Sequence, residues 1–334
     1  MSFQITLQPS GHTFAATSDE NLLEAALRQG MLVPYGCRNG ACGACKVTVV
    51  SGSVDPGSAP LTEEDRAAGR ILFCSSRATS DLVVHCAEAR ANTDIPIKTL
   101  PARVEKMQKL APDVMALWLR LPASERLQFL AGQYIDILLK DGKRRSFSLA
   151  NAPHDDSLLE LHVREVPGGL FTGQVFSTMK ERDILRFNGP HGTFYLREDS
   201  PKPIVLIAGG TGFAPVKALV EHALKENVQR PIAVYWGSRD RAGLYMPELP
   251  QRWAAEHPHV SYVPVLSEPA AGDNWQGRTG FVHEAVLADF PDLSGHQVYV
   301  CGSPVMVEAV RRDLCGKAGL PAEELFADAF SFNT

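Results

Sequence analysis

Residues 35 to 45 read Tyr-Gly-Cys-Arg-Asn-Gly-Ala-Cys-Gly-Ala-Cys, which sets Cys37, Cys42 and Cys45 in a C-x4-C-x2-C spacing; Cys74 follows after 28 further residues. No other stretch narrows the possible folds so far. Three thiolates on so short a loop converge on one compact group only if the backbone turns sharply and aims its N–H groups inward. Gly36, Gly40 and Gly43 permit that turn, since glycine reaches positive φ without a steric penalty. The fourth thiolate, in Phe73-Cys74-Ser75, arrives from a distant segment and closes the site. The pattern matches the ligand spacing of a 2Fe-2S cluster. Cys42-x2-Cys45 alone is also zinc spacing, but a zinc site requires neither Cys37 at that interval nor three glycines in the loop.

The chain holds seven cysteines, an odd number that argues against a disulfide framework and for metal or catalytic use of some of them. Cys86, on the apolar stretch DLVVHC, reads as a buried small hydrophobe, and Cys315, on an amphipathic helix, as structural. With 33 basic against 38 acidic residues and a net charge of -5, the chain has no global field to hold a polyanion, which argues against nucleic acid as a partner. The longest apolar run, IVLIA at 204–208, is far short of the ~20 residues needed to cross a bilayer. The opening MSFQITLQPSGHTF has no basic stretch leading into an apolar core. The expectation is a soluble cytoplasmic protein without a membrane partner.

At roughly 150 residues per domain, 334 residues imply two or three domains. Residues 1–92 begin with alternating ITLQ and carry two helical stretches. The first runs from about Thr17, at capping-box spacing from Glu20, to Gly30; the second runs from Thr62 to Gly69. The polar, proline-bearing AEARANTDIPIKTLP reads as an interdomain linker, centred on residues 93–100. Between 101 and 199, short alternating runs (ARVEKMQKL, VMALWLRL, YIDILL, SFSLA, LELHV, ILRF) predict an antiparallel β-barrel. From 200 to 334 the rhythm becomes strand then helix, predicting an α/β domain whose parallel sheet carries helices on both faces.

The cysteine spacing and the module around it resemble plant-type ferredoxins, which implies an α+β fold of β-grasp type for residues 1–92. On the barrel, Arg144-Arg145-Ser146-Phe147-Ser148 follows Ala131-Gly132-Gln133-Tyr134 and precedes Gly168-Gly169-Leu170-Phe171-Thr172, where glycines lead into a helix start able to take a phosphate. RSFS alone also fits an ordinary half-exposed strand. The order and spacing of the pieces resemble the ferredoxin-NADP reductase superfamily, which binds FAD on such a barrel. That resemblance implies that Arg145 neutralises the pyrophosphate, Phe147 lies against the flavin and the Ser148 hydroxyl bonds near its N5. It also gives Gly169 and Thr172 pyrophosphate contacts, and His162 and Val163 backbone contacts to the ring or ribityl chain. Phe147 departs from the commoner tyrosine, keeping the stacking and losing a hydroxyl.

Further on, Gly209-Gly210-Thr211-Gly212-Phe213-Ala214-Pro215 joins the apolar strand to a helix, where glycines let the backbone approach a pyrophosphate and the helix N-terminus adds positive charge. The turn is not G-x-G-x-x-G, and such turns also occur without a ligand. Cys301-Gly302-Ser303-Pro304-Val305-Met306 resembles the C-G-x-x-x-M of the same superfamily, which implies a nicotinamide site drawing on Gly209, Gly210, Thr211, Gly212, Pro215, Ser267 and Gly302. Cys301 would there position the hydride donor, a buried core thiol being the alternative. The tail Phe326-Ala327-Asp328-Ala329-Phe330 resembles tails in which an aromatic residue covers the flavin, which singles out Phe330 and completes a catalytic set with Ser148 and Cys301; core contacts would serve its phenylalanines equally. Asp328 is read as a residue that tunes the site. Glu268 stands where phosphate-binding relatives carry arginine and would repel a 2'-phosphate. Arg239 pulls the other way, with Asp240 beside it to neutralise it, and NADH is the expected donor.

A nicotinamide gives up two electrons as a hydride and a 2Fe-2S centre accepts one, so a flavin is the converter these parts imply. The expected path runs from NADH to FAD and then, in single electrons, through the cluster to a partner protein, because no acid/base site for a third substrate is visible in the chain. Over essentially its whole length the sequence is similar to bacterial CDP-6-deoxy-Δ3,4-glucoseen reductases, through RRSFSLANAP, IAGGTGFAPVK and FADAF. That similarity implies a pyridoxamine-phosphate-dependent sugar dehydrase of 3,6-dideoxyhexose synthesis as acceptor. Reductase components of aromatic-ring and other oxygenases share the module order, making an oxygenase component the alternative partner. A zinc-stapled nucleotide-binding scaffold without redox work is a third reading, separable because it would be colourless.

Overall fold

The computed structural model describes residues 2–58, 60–86, 90, 91 and 95–330. Its contacts divide the chain into two compact units, one of Met1–Pro96 with Ala327–Ser331 and one built on Ile97–Phe326.

In the first unit, alternating apolar residues of Ser2–Gln8 put Ile5 and Leu7 fully inside. This strand pairs antiparallel with Thr13–Thr17 and parallel with Leu82–His85, and Lys46–Ser51 and Arg70–Leu72 extend the sheet to five strands. The first helix spans Leu22–Arg28 and buries Leu22, Leu23, Ala25 and Ala26. It begins later than the Thr17 start predicted from sequence. Thr17 N does donate to Glu20 Oε1 (2.9 Å), but in the turn before the helix, and Asn21 is the cap because its Oδ1 accepts from Glu24 N at 2.9 Å. The second helix, Glu63–Ala67, is capped by Thr62 as expected. Cys86 is buried just beyond the Leu82–His85 strand.

The second unit contains six antiparallel strands in the spatial order Arg144–Ser148, Tyr134–Leu138, Ile184–His191, Lys98–Ala111, Val114–Arg120, Leu159–Arg164. A bridge between Leu149 and Leu161 joins the two ends of that order and closes the barrel. Leu100, Val104, Leu117, Leu159, Leu161, Val163 and Phe187 fill its core, each worth ~1.5–3 kcal/mol of burial. The strand starts at Lys98, inside the stretch read as linker, because Leu100 and Ala102 already face that core. Residues 92–94 of that stretch lie outside the described ones.

A second sheet of six strands follows, ordered Arg278–Thr279, Val260–Leu266, Ile232–Ser238, Ile204–Gly209, Gln297–Gly302, Leu325–Ala329. Ile204–Gly209 pairs parallel with Ile232–Ser238 on one side and with Gln297–Gly302 on the other, so the chain reverses its direction of winding at the end of this strand, where open α/β sheets leave a crevice. The helix Phe213–Lys225 starts there. The sequence reading names no helix at Glu248–Glu256, whose Pro247 and Pro250 sit at the cap and in the first turn, where proline is tolerated. Among the described residues no helix is long and apolar enough to cross a membrane.

Candidate functional site

The sulfur donors come together through strand register. Lys46 pairs with Leu72 and Val47 with Ile71, so the residues just outside this ladder, Cys45 and Cys74, are neighbours, with Sγ atoms 3.2 Å apart. On the loop, Cys42 N donates to Cys37 Sγ (3.2 Å), and Cys37 N and Ala44 N donate to Cys42 Sγ (both 3.4 Å). Gly40 and Gly43 hold φ of 86° and 68°, as expected; Gly36 does not, and is needed for room, since a Cβ there would meet Asp328 Oδ1 at 3.1 Å and Cys42 Sγ at 3.2 Å. In each pair one thiol hydrogen-bonds the sulfur of the other and so favours that partner's thiolate. Cys42 holds the Cys37 thiol down at about 6 and is itself pushed up; likewise Cys45 lowers Cys74 and is raised in turn. Among the described residues no three side chains converge on a single ion. Two pairs of thiols, with backbone N–H groups aimed at the sulfurs, fit a two-iron cluster that takes two thiolates per iron better than one tetrahedral zinc. Asp328 lies against this loop, and burial pushes its carboxyl up to about 7, with the nearby Cys37 adding to the rise.

On the barrel, Phe147 packs half-buried against the core, its ring 5.2 Å from that of Phe171, while Arg145 is half-exposed and bonds only the carbonyl of Arg144. Ser148 is buried and its Oγ has no hydrogen-bond partner among the described residues. A buried hydroxyl left unsatisfied is costly, and here it stands at the position where the sequence expects the flavin's polar edge, so the residues present fit that group. Gly168 adopts φ of 74° and Gly169 caps the helix Leu170–Ser177 with its N–H groups unclaimed by any side chain. The Thr172 hydroxyl ties that turn down by bonding the backbone of Val166 (3.2 and 3.3 Å). Val163 points into the barrel core. The His162 side chain does not face solvent at all: Nδ1 meets the Tyr245 hydroxyl at 3.0 Å and Nε2 meets Glu160 Oε1 at 2.9 Å.

In the α/β sheet, Gly209, Gly210, Thr211 and Gly212 form the turn at the end of Ile204–Gly209, and Pro215 lies in the first turn of the following helix. The glycines serve close approach. A Cβ on Gly212 would come within 2.1 Å of the Cys301 carbonyl oxygen, and one on Gly209 within 2.5 Å of Met306 Sδ. The turn is thus a side-chain-free strip of backbone beside a helix N-terminus, which suits a pyrophosphate. Cys301 is fully buried near the end of its strand, with Gly302 following. Ser267 N donates to Ser238 O and Glu268 N to Arg239 O, so Arg239 and the exposed Glu268 are neighbours. Asp240 caps the turn Arg241–Gly243 through Gly243 N, and among the described residues no ion pair joins it to Arg239. Phe330 is half-buried directly after Leu325–Ala329.

The sequence reading missed a buried polar group around His162. Lys217 Nζ donates to Glu160 Oε2 and Glu221 Oε2 (both 3.0 Å) and to the Ala150 carbonyl (3.1 Å). Burial alone would raise Glu160, but His162 and Lys217 hold it down at about 2. Glu-Leu-His-Val-Arg at 160–164 carried the signal, a strand whose polar residues all fall on one face.

Three family models match the chain in turn: a 2Fe-2S iron-sulfur cluster binding domain at residues 5–79, an oxidoreductase FAD-binding domain at 101–195 and an oxidoreductase NAD-binding domain at 206–312. The sequence is 44% identical over 99% of both chains to a CDP-6-deoxy-L-threo-D-glycero-4-hexulose-3-dehydrase reductase of Yersinia pestis. It is 36% identical, over 99% of its own length and 98% of the other's, to reductase component 2 of a Comamonas terephthalate 1,2-dioxygenase. A solved Amycolatopsis cytochrome P450 reductase superposes with a TM-score of 0.78 at 36% identity, covering 98% of each chain.

Proposed function

The chain belongs to the iron-sulfur flavoprotein reductases, NAD(P)H-dependent oxidoreductases that join a 2Fe-2S domain to FAD- and NAD-binding domains, and from that premise we propose that its electron acceptor is a dehydrase acting on a CDP-linked 6-deoxyhexulose. The observation that carries this reading is the 44% identity over 99% of both chains to the Yersinia dehydrase reductase, against 36% to the terephthalate dioxygenase component. The 0.78 TM-score to the Amycolatopsis P450 reductase favours an oxygenase as the second reading. On the first, the acceptor is pyridoxamine-phosphate-dependent and the place of action is the cytoplasm, where NADH is regenerated.

The flavin supplies the conversion from a two-electron hydride donor to one-electron carriers. The chain's own residues do the rest. Cys37, Cys42, Cys45 and Cys74 hold the cluster, with loop N–H groups at the sulfurs damping their charge. Arg145 and the N–H groups of the first helical turn after Gly169 neutralise a pyrophosphate, with Thr172 keeping that turn in shape. Phe147 gives the ring an apolar wall, backbone at His162 and Val163 meets its edge, and Ser148 offers it a buried hydroxyl that has no partner among the described residues. The Gly209–Gly212 turn with Pro215 takes the nucleotide's phosphates, Ser267 adds to the nucleotide site, and Cys301 with Gly302 sets the nicotinamide. Glu268 selects NADH by repelling a 2'-phosphate.

Anaerobic turnover with NADH tests the acceptor. The purified CDP-6-deoxyhexulose dehydrase should support sugar deoxygenation, whereas a terephthalate oxygenase component should not be reduced at a comparable rate. Reduction of the oxygenase alone would overturn the assignment.

A further inference from the structure

The strand Leu159–Arg164 shows two faces. Leu159, Leu161 and Val163 point into the barrel core, and the alternate residues Glu160, His162 and Arg164 each reach a different element of the α/β sheet region within the same compact unit. Glu160 binds Lys217, in the second turn of the helix that opens at Phe213. His162 binds the Tyr245 hydroxyl, and the Tyr245 ring stands edge-on to Trp236, centroids 5.1 Å apart. Trp236 in turn lies flat on Phe213 (3.8 Å, 6°) and donates from Nε1 to the Gly210 carbonyl at 3.0 Å. Arg164 touches the same turn directly: a Cβ on Gly210 would meet its Nη1 at 2.8 Å. The bridge Leu149–Leu161 sets His162 across from Ser148.

We infer that Glu160, His162 and Arg164 are positioning residues, a three-point seat on the flavin-motif strand that fixes the Gly209–Gly212 turn, and so the nicotinamide, at the separation hydride transfer requires, with Tyr245 as its central link. The inference rests on the flavin and nicotinamide sites proposed above. All three contacts leave one face of one strand, Arg164 beside the turn itself and the other two through the helix that follows it and through Tyr245 and Trp236, so they oppose a shift of the turn. A buried ion pair is weak evidence for stability in itself, but its directional bonds suit it to holding register. Reacting atoms must approach to about 3–3.5 Å, and a displacement of 1 Å costs up to about 100-fold in rate.

Tyr245→Phe removes one hydroxyl and keeps the ring; Trp236→Phe removes the bond to Gly210 and keeps an aromatic block. In the purified holoenzyme under anaerobic stopped flow, each should slow flavin bleaching at saturating NADH by about tenfold and weaken the long-wavelength charge-transfer absorbance. FAD content, cluster absorption and apparent NADH affinity should stay within about twofold of wild type. Bleaching rates and charge-transfer absorbance equal to wild type in both variants, with FAD retained, overturn the seat. So does a slowing that merely follows loss of FAD. A wild-type flavin that NADH fails to bleach overturns the seat together with the sites beneath it.

Discussion

In the Met1–Pro96 unit the four sulfur donors lie on one loop and the end of a neighbouring strand, whereas the candidate nucleotide-binding groups of the Ile97–Phe326 unit come from strand ends and turns spread over more than 150 residues, Arg145 to Gly302. The first site depends on side-chain identity, because only a thiolate serves. The second depends mostly on backbone approach, on glycines that leave room and on a buried polar seat that sets distances. A local, identity-based site should fail all at once when one donor is lost. A distributed one should weaken by degrees.

The sharpest test of that contrast is Cys42→Ser. It should abolish cluster absorption and cut one-electron delivery by at least about 100-fold, the upper range for loss of a mere outer-shell partner, while NADH still bleaches the flavin. Normal cytochrome reduction by that variant would break both the comparison and the order of the relay. Next in size is Lys217→Met, which strands the Glu160 carboxylate and should cost ~3–5 kcal/mol of the second unit's stability at neutral pH. Urea unfolding followed by tryptophan fluorescence reads that unit alone, since Trp118, Trp236, Trp253 and Trp275 all belong to it. Its pH dependence follows from sign. Glu160 is lowered from 4.5 to about 2 in the folded chain, so its contribution is complete above 4.5 and is lost as pH falls towards 2. The wild-type acid arm should therefore be steeper than the variant's, and parallel arms would remove Lys217 as the partner that matters.

Gly212→Ala should cost ~1–3 kcal/mol by driving a methyl group onto the Cys301 carbonyl, with the cluster spectrum unchanged. A fully stable variant would show that the turn has slack and is not a close-packed strip. The smallest effect is expected of Glu268→Arg, which should shift the NADPH-to-NADH ratio of kcat/KM by about tenfold, what one charged hydrogen bond of ~1.5 kcal/mol supplies. Arg239, whose carbonyl accepts from Glu268 N, lies beside the substituted position. An unchanged ratio would take discrimination away from this pair.

Particular elements show how far the sequence could be read. The barrel strands were legible because alternation directly encodes which side faces a core, and the glycine turn because a strand running into glycines and then a helix has few other uses. The start of the first helix was misplaced by four residues, since Thr17–Glu20 and Asn21–Glu24 offer the same cap spacing and only the packing of Leu22 and Leu23 chooses between them. The helix at Glu248–Glu256 is short and carries prolines at its cap and in its first turn, so its sequence shows little helical period. His162 was read for its backbone alone, because nothing in the spacing of one strand announces a tyrosine 83 residues away.

By itself the sequence determined the chemistry of the cluster loop and the order of the three modules, since ligand type, glycine placement and hydrophobic period are local properties that a chain carries before it folds. The tertiary structure alone decided that Cys45 meets Cys74 through strand register, that Ser148 keeps a hydroxyl with no partner among the described residues, that Glu160 and His162 bond Lys217 and Tyr245, and that Arg164 lies beside Gly210. Those are distances between residues far apart in the chain, set by how close-packed layers fit together, and no local pattern encodes them.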